Sequence, residues 1–171
     1  MPPGFFDPLP PAVLNRDTDR LWLNSQTFDP AKIRDGVPPF HPKGVLGYAE
    51  VTANQTTIST ETDLTNLTVT VEVAASRRIE VSTKINSQPS TNDNAAVLRI
   101  KESTTNLQLI SLVLGRTNAS ETLAGSVILT PSAGSHTYKL SLQMAVGTGT
   151  VDLIASSTNP AFILVKDIGP A

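Results

Sequence analysis

The chain has 171 residues, no cysteine, a formal net charge of −2 and only 16% charged residues. That length suits one ordinary domain with an appendage. A weakly negative chain offers no positive field to phosphates, which argues against a nucleic-acid binder, and the lack of cysteine removes disulfides, thiolate zinc sites and thiol nucleophiles.

Residues 1–44 form a distinct first segment. They hold nine of the thirteen prolines and five of the eight aromatic residues, with acidic and basic side chains in balance. Proline at this density forbids long helices and central strands. A disordered linker is poor in aromatics, and this segment is not. Its first twenty residues lack the basic-then-apolar order of a signal peptide. We read residues 1–44 as an extended arm whose Phe5, Phe6, Leu21, Trp22, Phe28 and Phe40 need a surface to bury them. That surface is either another subunit or the chain's own domain. Phe28-Asp29-Pro30 carries an N-cap residue before a first-turn proline, so residues 30–35 predict one or two helical turns.

Residues 45–171 read as strands. Leu67, Val69, Val71 and Val73 alternate with Thr68, Thr70 and Glu72. Ile79, Val81 and Ile85 alternate with Glu80, Ser82 and Lys84, with Thr83 as a polar residue on the apolar side. Tyr138, Leu140, Leu142, Met144 and Val146 repeat the pattern. A two-residue period means one buried and one wet face. Turn-rich segments at 86–94, 115–121, 131–135, 147–149 and 157–160 separate about nine strands: 45–52, 67–74, 78–86, 95–102, 107–114, 122–130, 136–146, 150–156 and 161–168. The fold class is therefore all-β, an antiparallel jelly-roll-like sandwich of 8–9 strands preceded by the arm. The lone Trp lies in the arm and no cysteine pair exists, which disfavours an immunoglobulin-type core. No run approaches the ~18 apolar residues of a membrane span, so no membrane insertion is expected.

Two strands break the alternation. Leu107–Leu114 becomes apolar on both sides near its end, and Ala161–Val165 is apolar throughout. A strand apolar on both faces asks for cover on both. Leu112, Leu114, Phe162 and Leu164 are therefore candidate contacts with another copy of the chain, with cover by the arm or a loop as the alternative.

Little points to chemistry. His41 and His136 have no ligand partners at metal spacing, and Asp17 with Asp19 lacks the rest of a calcium loop. Glu61, Asp63, Glu72 and Glu80 are the carboxylates available for glycoside hydrolysis, but they sit where solvated residues belong. Arg77-Arg78 reads as a solvated basic turn. No nucleophile elbow or phosphate loop occurs. The expectation is a protein that is not an enzyme and has no cofactor or metal.

The ending Ala155–Ala171, with Asn159-Pro160-Ala161-Phe162-Ile163-Leu164-Val165 at its centre, resembles that of minor tail proteins of tailed phages infecting actinobacteria. Asp63–Thr70, the Arg77-Arg78 strand start and Ser135–Leu140 are similar as well. Lys166 stands where such proteins often carry an acidic residue. The resemblance covers residues 45–171 and not the arm. It implies a structural virion subunit with a trimer-prone jelly roll, and no catalytic residues. On this reading the arm binds other virion proteins, the domain forms a homotrimer, and the exposed surface meets the host, with a cell-envelope glycan as candidate ligand. A capsid decoration protein and a carbohydrate-binding module are the alternatives. The expected location is the virion, on tail or head.

Overall fold

A computed structural model describes residues 43–92, 94–114, 116–117 and 119–171. The chain divides into two units, Met1–Phe40 and His41–Ala171, and the second holds all the strands of the described residues. The arm residues Phe5, Phe6, Leu21, Trp22, Phe28 and Phe40, and the predicted turns at 30–35, lie outside the described residues.

Ten strands follow in order: β1 (Gly44–Val51), β2 (Gln55–Ile58), β3 (Thr62–Val73), β4 (Arg77–Pro89), β5 (Asn94–Glu102), β6 (Thr105–Leu114), β7 (Glu121–Leu129), β8 (Gly134–Val146), β9 (Val151–Ile154) and β10 (Ala161–Pro170). They build two antiparallel sheets. In the first, β1, β10, β4 and β7 lie side by side, and the short β9 and β2 continue beyond β10 along the far end of β4. The second has the order β3-β8-β5-β6. Strands β1, β3, β4 and β5 thus pair with β10, β8, β7 and β6 in turn. This is one long hairpin rolled into a sandwich, a jelly roll.

The period-two pattern decides which side chains go inside. Leu67, Val69, Val71 and Val73 of β3 face Ile79, Val81 and Ile85 of β4 across the core, joined by Leu98, Ile100, Leu140, Leu142, Ile163 and Val165. Thr83, polar on the apolar face, is only 3% exposed, and its hydroxyl donates to the Phe162 carbonyl at 2.8 Å. That bond removes the cost of burying the hydroxyl. Ser87 Oγ and Tyr138 OH are also buried, but among the described residues neither has a hydrogen-bond partner.

The strands depart furthest from the sequence reading in three places. β2 was not expected, because Gln55-Thr56-Thr57-Ile58 has one apolar residue and no alternation; its Thr57 has φ of 65° and its N–H donates to Asp152 Oδ1 at 2.7 Å. β3 begins five residues early, since a bulge around Asn66 (φ 61°) hides the period between the Asp63 and Thr68 pairings. β4 runs on to Pro89 through the segment read as a turn, because Asn86–Pro89 pair with β9.

Candidate functional site

The jelly roll has two unlike ends. At the near end, where β1 begins, the strands are joined by connections of three, two and four residues, namely 74–76, 103–104 and 130–133. At the far end lie the connections 90–93, 115–120 and 147–150, of four to six residues, while 155–160 joins β9 to β10 beside Lys84 and Asn86 of β4.

Ionic and hydrogen-bonded clamps hold the near end. Arg77 opens β4 and Asp167 lies near the end of β10, on the same inward face. They meet through Nε to Oδ2 at 2.8 Å and Nη2 to Oδ1 at 2.6 Å, with residue exposures of 4% and 3%. Burial alone would raise the Asp167 pKa. The Arg77 hydrogen bonds, the Gly169 N–H, the Arg77 charge and the Lys43 N–H outweigh it and hold the carboxyl below its ordinary value. The solvated turn expected at Arg77-Arg78 is thus corrected at its first member. Arg77 is buried because the strand period turns it inward, while exposed Arg78 donates from Nε to the Pro170 carbonyl. Close by, His136 donates from Nδ1 to Glu102 at 2.5 Å and from Nε2 to the Ser132 carbonyl at 2.9 Å. Two acceptors on one ring favour the imidazolium, and the Glu102 hydrogen bond raises the His136 pKa against desolvation. The ring stacks on Tyr138 at 6.3 Å. Burial, with the Glu102 charge added, pushes the Tyr138 phenol up to about 12.

At the far end, hydroxyls and amides tie the loops together. Ser90 N–H donates to the Thr150 carbonyl at 2.9 Å, and Thr150 N–H returns to Ser90 Oγ at 2.8 Å. Thr91 Oγ1 donates to the Thr148 carbonyl. Thr117 donates twice to Asn92 Oδ1, at 2.6 and 2.8 Å. The result is a polar tip of Ser, Thr, Asn and Gly.

The two broad faces differ as well. On the outer face of the β3-β8-β5-β6 sheet, Glu61 accepts from Lys101 Nζ at 2.5 Å and from Ser141 Oγ at 3.1 Å, with Arg99 Nη1 at 3.7 Å. Asp63 accepts from Lys139 at 2.5 Å. The structure thus brings together two of the four carboxylates considered for glycoside hydrolysis. Glu72 and Glu80 lie apart, on β3 and β4. The Lys101 hydrogen bond lowers the Glu61 pKa, whereas a general acid needs it raised. Among the described residues no group of three or more His, Asp or Glu side chains is placed to hold a metal. No helix among them is long and apolar enough to cross a membrane.

The outer face of the β1-β10-β4-β7 sheet carries exposed apolar side chains, as the other sheet does at Leu109 of β6 and Val146 of β8. Val45 and Ile128 are each 61% exposed and Tyr48 is 49% exposed. Tyr48 and Phe162 pair with ring centroids 6.0 Å apart and planes tilted by 33°. Two of the four candidate copy contacts, Phe162 and Leu164, belong to this face as half-buried residues of β10. Leu112 does not: β6 turns it inward, where it packs against the core. Leu114 closes β6 opposite Asn94. The sequence missed Val45, Tyr48 and Ile128 because each stands beside apolar residues that face the core, Leu46, Ala49, Val127 and Leu129, and only the strand pairing separates outward from inward.

No known family and no curated protein matches the sequence. Solved structures share a distant likeness. Eiger TNF from S. frugiperda aligns with 74% of this chain and 95% of its own, at 12% identity and a TM-score of 0.44. A carbohydrate-binding module of Cellvibrio mixtus lichenase 5A, solved with cellotriose, covers 71% of this chain and 96% of its own, at 13% identity and 0.33. The VP2 subviral particle of infectious bursal disease virus covers 75% of this chain, at 8% identity and 0.39, and this chain spans only 38% of that protein.

Proposed function

We propose that the chain is a structural subunit of a tailed-phage virion, a minor tail or tail-tip protein anchored through residues 1–44 and displaying its jelly roll outward. The observation that carries this reading is the division of the chain. Residues 1–44 concentrate proline and aromatic side chains, and the strands that follow close a jelly-roll core of their own. An aromatic, proline-rich segment loses little entropy on docking and buries much surface per residue. The clamp at the near end suits such a tether. Asp167 takes hydrogen bonds from Lys43, where the arm joins, and from Arg77 and Gly169. Load arriving through the arm is thereby passed to β4 and β10 rather than to β1 alone. The polar far end then faces outward, toward the host surface. A homotrimer is the assembly that the phage resemblance implies, and capsid decoration would use the same architecture on the head.

The test is deletion of residues 1–42 in the phage gene. The shortened protein is expected to keep its strand content by circular dichroism and to be missing from purified particles. Particles that still incorporate it would overturn the anchor. Labelled antibody on intact particles separates tail from head.

A further inference from the structure

We propose that the outer face of the β1-β10-β4-β7 sheet is a contact between two copies of this chain, related by a two-fold axis running along the strands between β10 and β4. It rests on the reading above only in that copies of the chain meet. The strand register carries it. One row across the face runs Val45, Lys166, Glu80, Ile128, because Val45 pairs with Lys166, Lys166 with Glu80, and Glu80 with Ile128. The next rows run Tyr48, Leu164, Ser82, Ser126 and Glu50, Phe162, Lys84, Ala124. The first row thus reads apolar, positive, negative, apolar.

Turning an identical face over about this axis exchanges β10 with β4 and β1 with β7. Lys166 then meets the partner subunit's Glu80, and Val45 meets the partner subunit's Ile128. Phe162 meets the partner subunit's Lys84, a cation over a ring. Each of these contacts occurs twice, as an isologous interface requires. Among the described residues neither Glu80 nor Lys166 has an ion-pair partner within its own chain. The symmetry thus brings together two charges that have no ion pair of their own among the described residues.

Size and shape agree. Four strands about 4.8 Å apart and about eight residues long at ~3.4 Å each give a face of roughly 500 Å². Two such faces bury roughly 1,000 Å², the lower bound for a specific interface. Two twisted sheets pack face to face with their strands nearly aligned, as this axis demands. A glycan is the competing occupant, since Tyr48 and Phe162 are adjacent aromatics. Their 33° tilt does not give the flat platform that a sugar ring stacks on.

The experiment measures the mass of the full chain by light scattering across concentrations up to about 100 µM, the range suited to a small interface. The wild type is expected to form a dimer, or a hexamer where the two-fold contact joins two of the trimers proposed above. Glu80→Lys and Lys166→Glu each place like charges face to face twice, and each is expected to weaken association at least about tenfold. An equimolar mixture of the two variants restores both opposite-charge contacts between chains while leaving each chain's own neighbours alike in charge. It is expected to recover the wild-type mass. Ile128→Asp, at a side chain more exposed than buried, gives a loss of association that needs no change in the fold, checked by circular dichroism. A wild type that stays monomeric, or a mixture that fails to recover, would overturn the contact. A trimer whose mass neither charge reversal changes would also overturn it while leaving the virion reading standing. A monomer that binds an envelope glycan through Tyr48 would overturn it in favour of the sugar.

Discussion

Arg77 and Asp167 show how a strand period can place charge where composition would not. Each stands on the inward side of its strand, at the end where β4 starts and β10 finishes. A charge there must be matched or it destabilises the fold, and the guanidinium and carboxylate match in a fork. Asp167→Asn takes from the buried guanidinium the carboxylate charge that it forks with and is expected to cost about 3 kcal/mol at neutral pH. The sign of the pH dependence follows from the lowered Asp167 pKa. The stabilisation is complete above the unfolded-state value near 3.9 and fades as pH falls through the lower folded value. Thermal melts of wild type and variant should therefore differ at pH 7 and converge in strong acid. A gap that persists unchanged at pH 2 would show that the carboxylate charge is not what matters. The pair was hidden in the sequence because adjacent arginines at a strand start resemble a solvated turn. Only the register of a strand ninety residues away shows that the first arginine points inward.

At the level of the elements, the sheets pinch together at both sides of the sandwich, and a glycine sits at each pinch. A Cβ on Gly47 of β1 would lie 2.3 Å from Val69 Cγ1 and 2.9 Å from Val71 Cγ1 of β3. On Gly125 of β7 it would lie 2.7 Å from Ile110 Cδ1 of β6. These obstacles differ in stiffness. Valine is branched at Cβ and holds one rotamer, whereas the end of an isoleucine swings aside. Gly47→Ala is expected to cost about 1–3 kcal/mol and Gly125→Ala less than about 1 kcal/mol. Urea unfolding would rank them, and Val69→Ala should recover part of the Gly47→Ala loss. Equal costs would mean that the β1–β3 contact is looser than its geometry. Strands with clean alternation, such as 67–73 and 138–144, were legible in the sequence because one face is dry and the other wet. β2 was not, since its stability comes from pairing with β9 and a bond to Asp152 rather than from its own pattern. Leu112 and Phe162 looked alike as apolar excess, yet one completes the core and the other faces out. Local apolar content does not encode that difference; sheet order does.

For the molecule as a whole, the rolled hairpin sets an order of assembly. β5 and β6 are joined by Ser103 and Thr104 alone, whereas β4–β7, β3–β8 and β1–β10 close ever longer stretches of chain. Closing a long loop costs entropy before its contacts form, so pairing is expected to start at β5–β6 and finish when β10 enters between β1 and β4. Such a nonlocal β topology folds on a time scale of about milliseconds to seconds. The same order fixes how core substitutions divide between the two rates. Leu98→Ala, in the starting hairpin, should mainly slow refolding. Ile163→Val, in the last strand to enter, should leave refolding nearly unchanged and speed unfolding. Stopped-flow traces in urea on a chain with no cysteine to oxidise would read both limbs directly. If Ile163→Val slows refolding as much as Leu98→Ala does, β10 is part of the nucleus and the roll does not close from the hairpin outward. If the order holds, β10 is the seal of the jelly roll. It carries Phe162, Leu164 and Lys166 on its outer side and Asp167 beside Lys43, so the proposed tether and the proposed copy-to-copy face are both completed only in a finished domain. A partly folded chain would then offer neither, which would keep unfinished copies out of the proposed assembly.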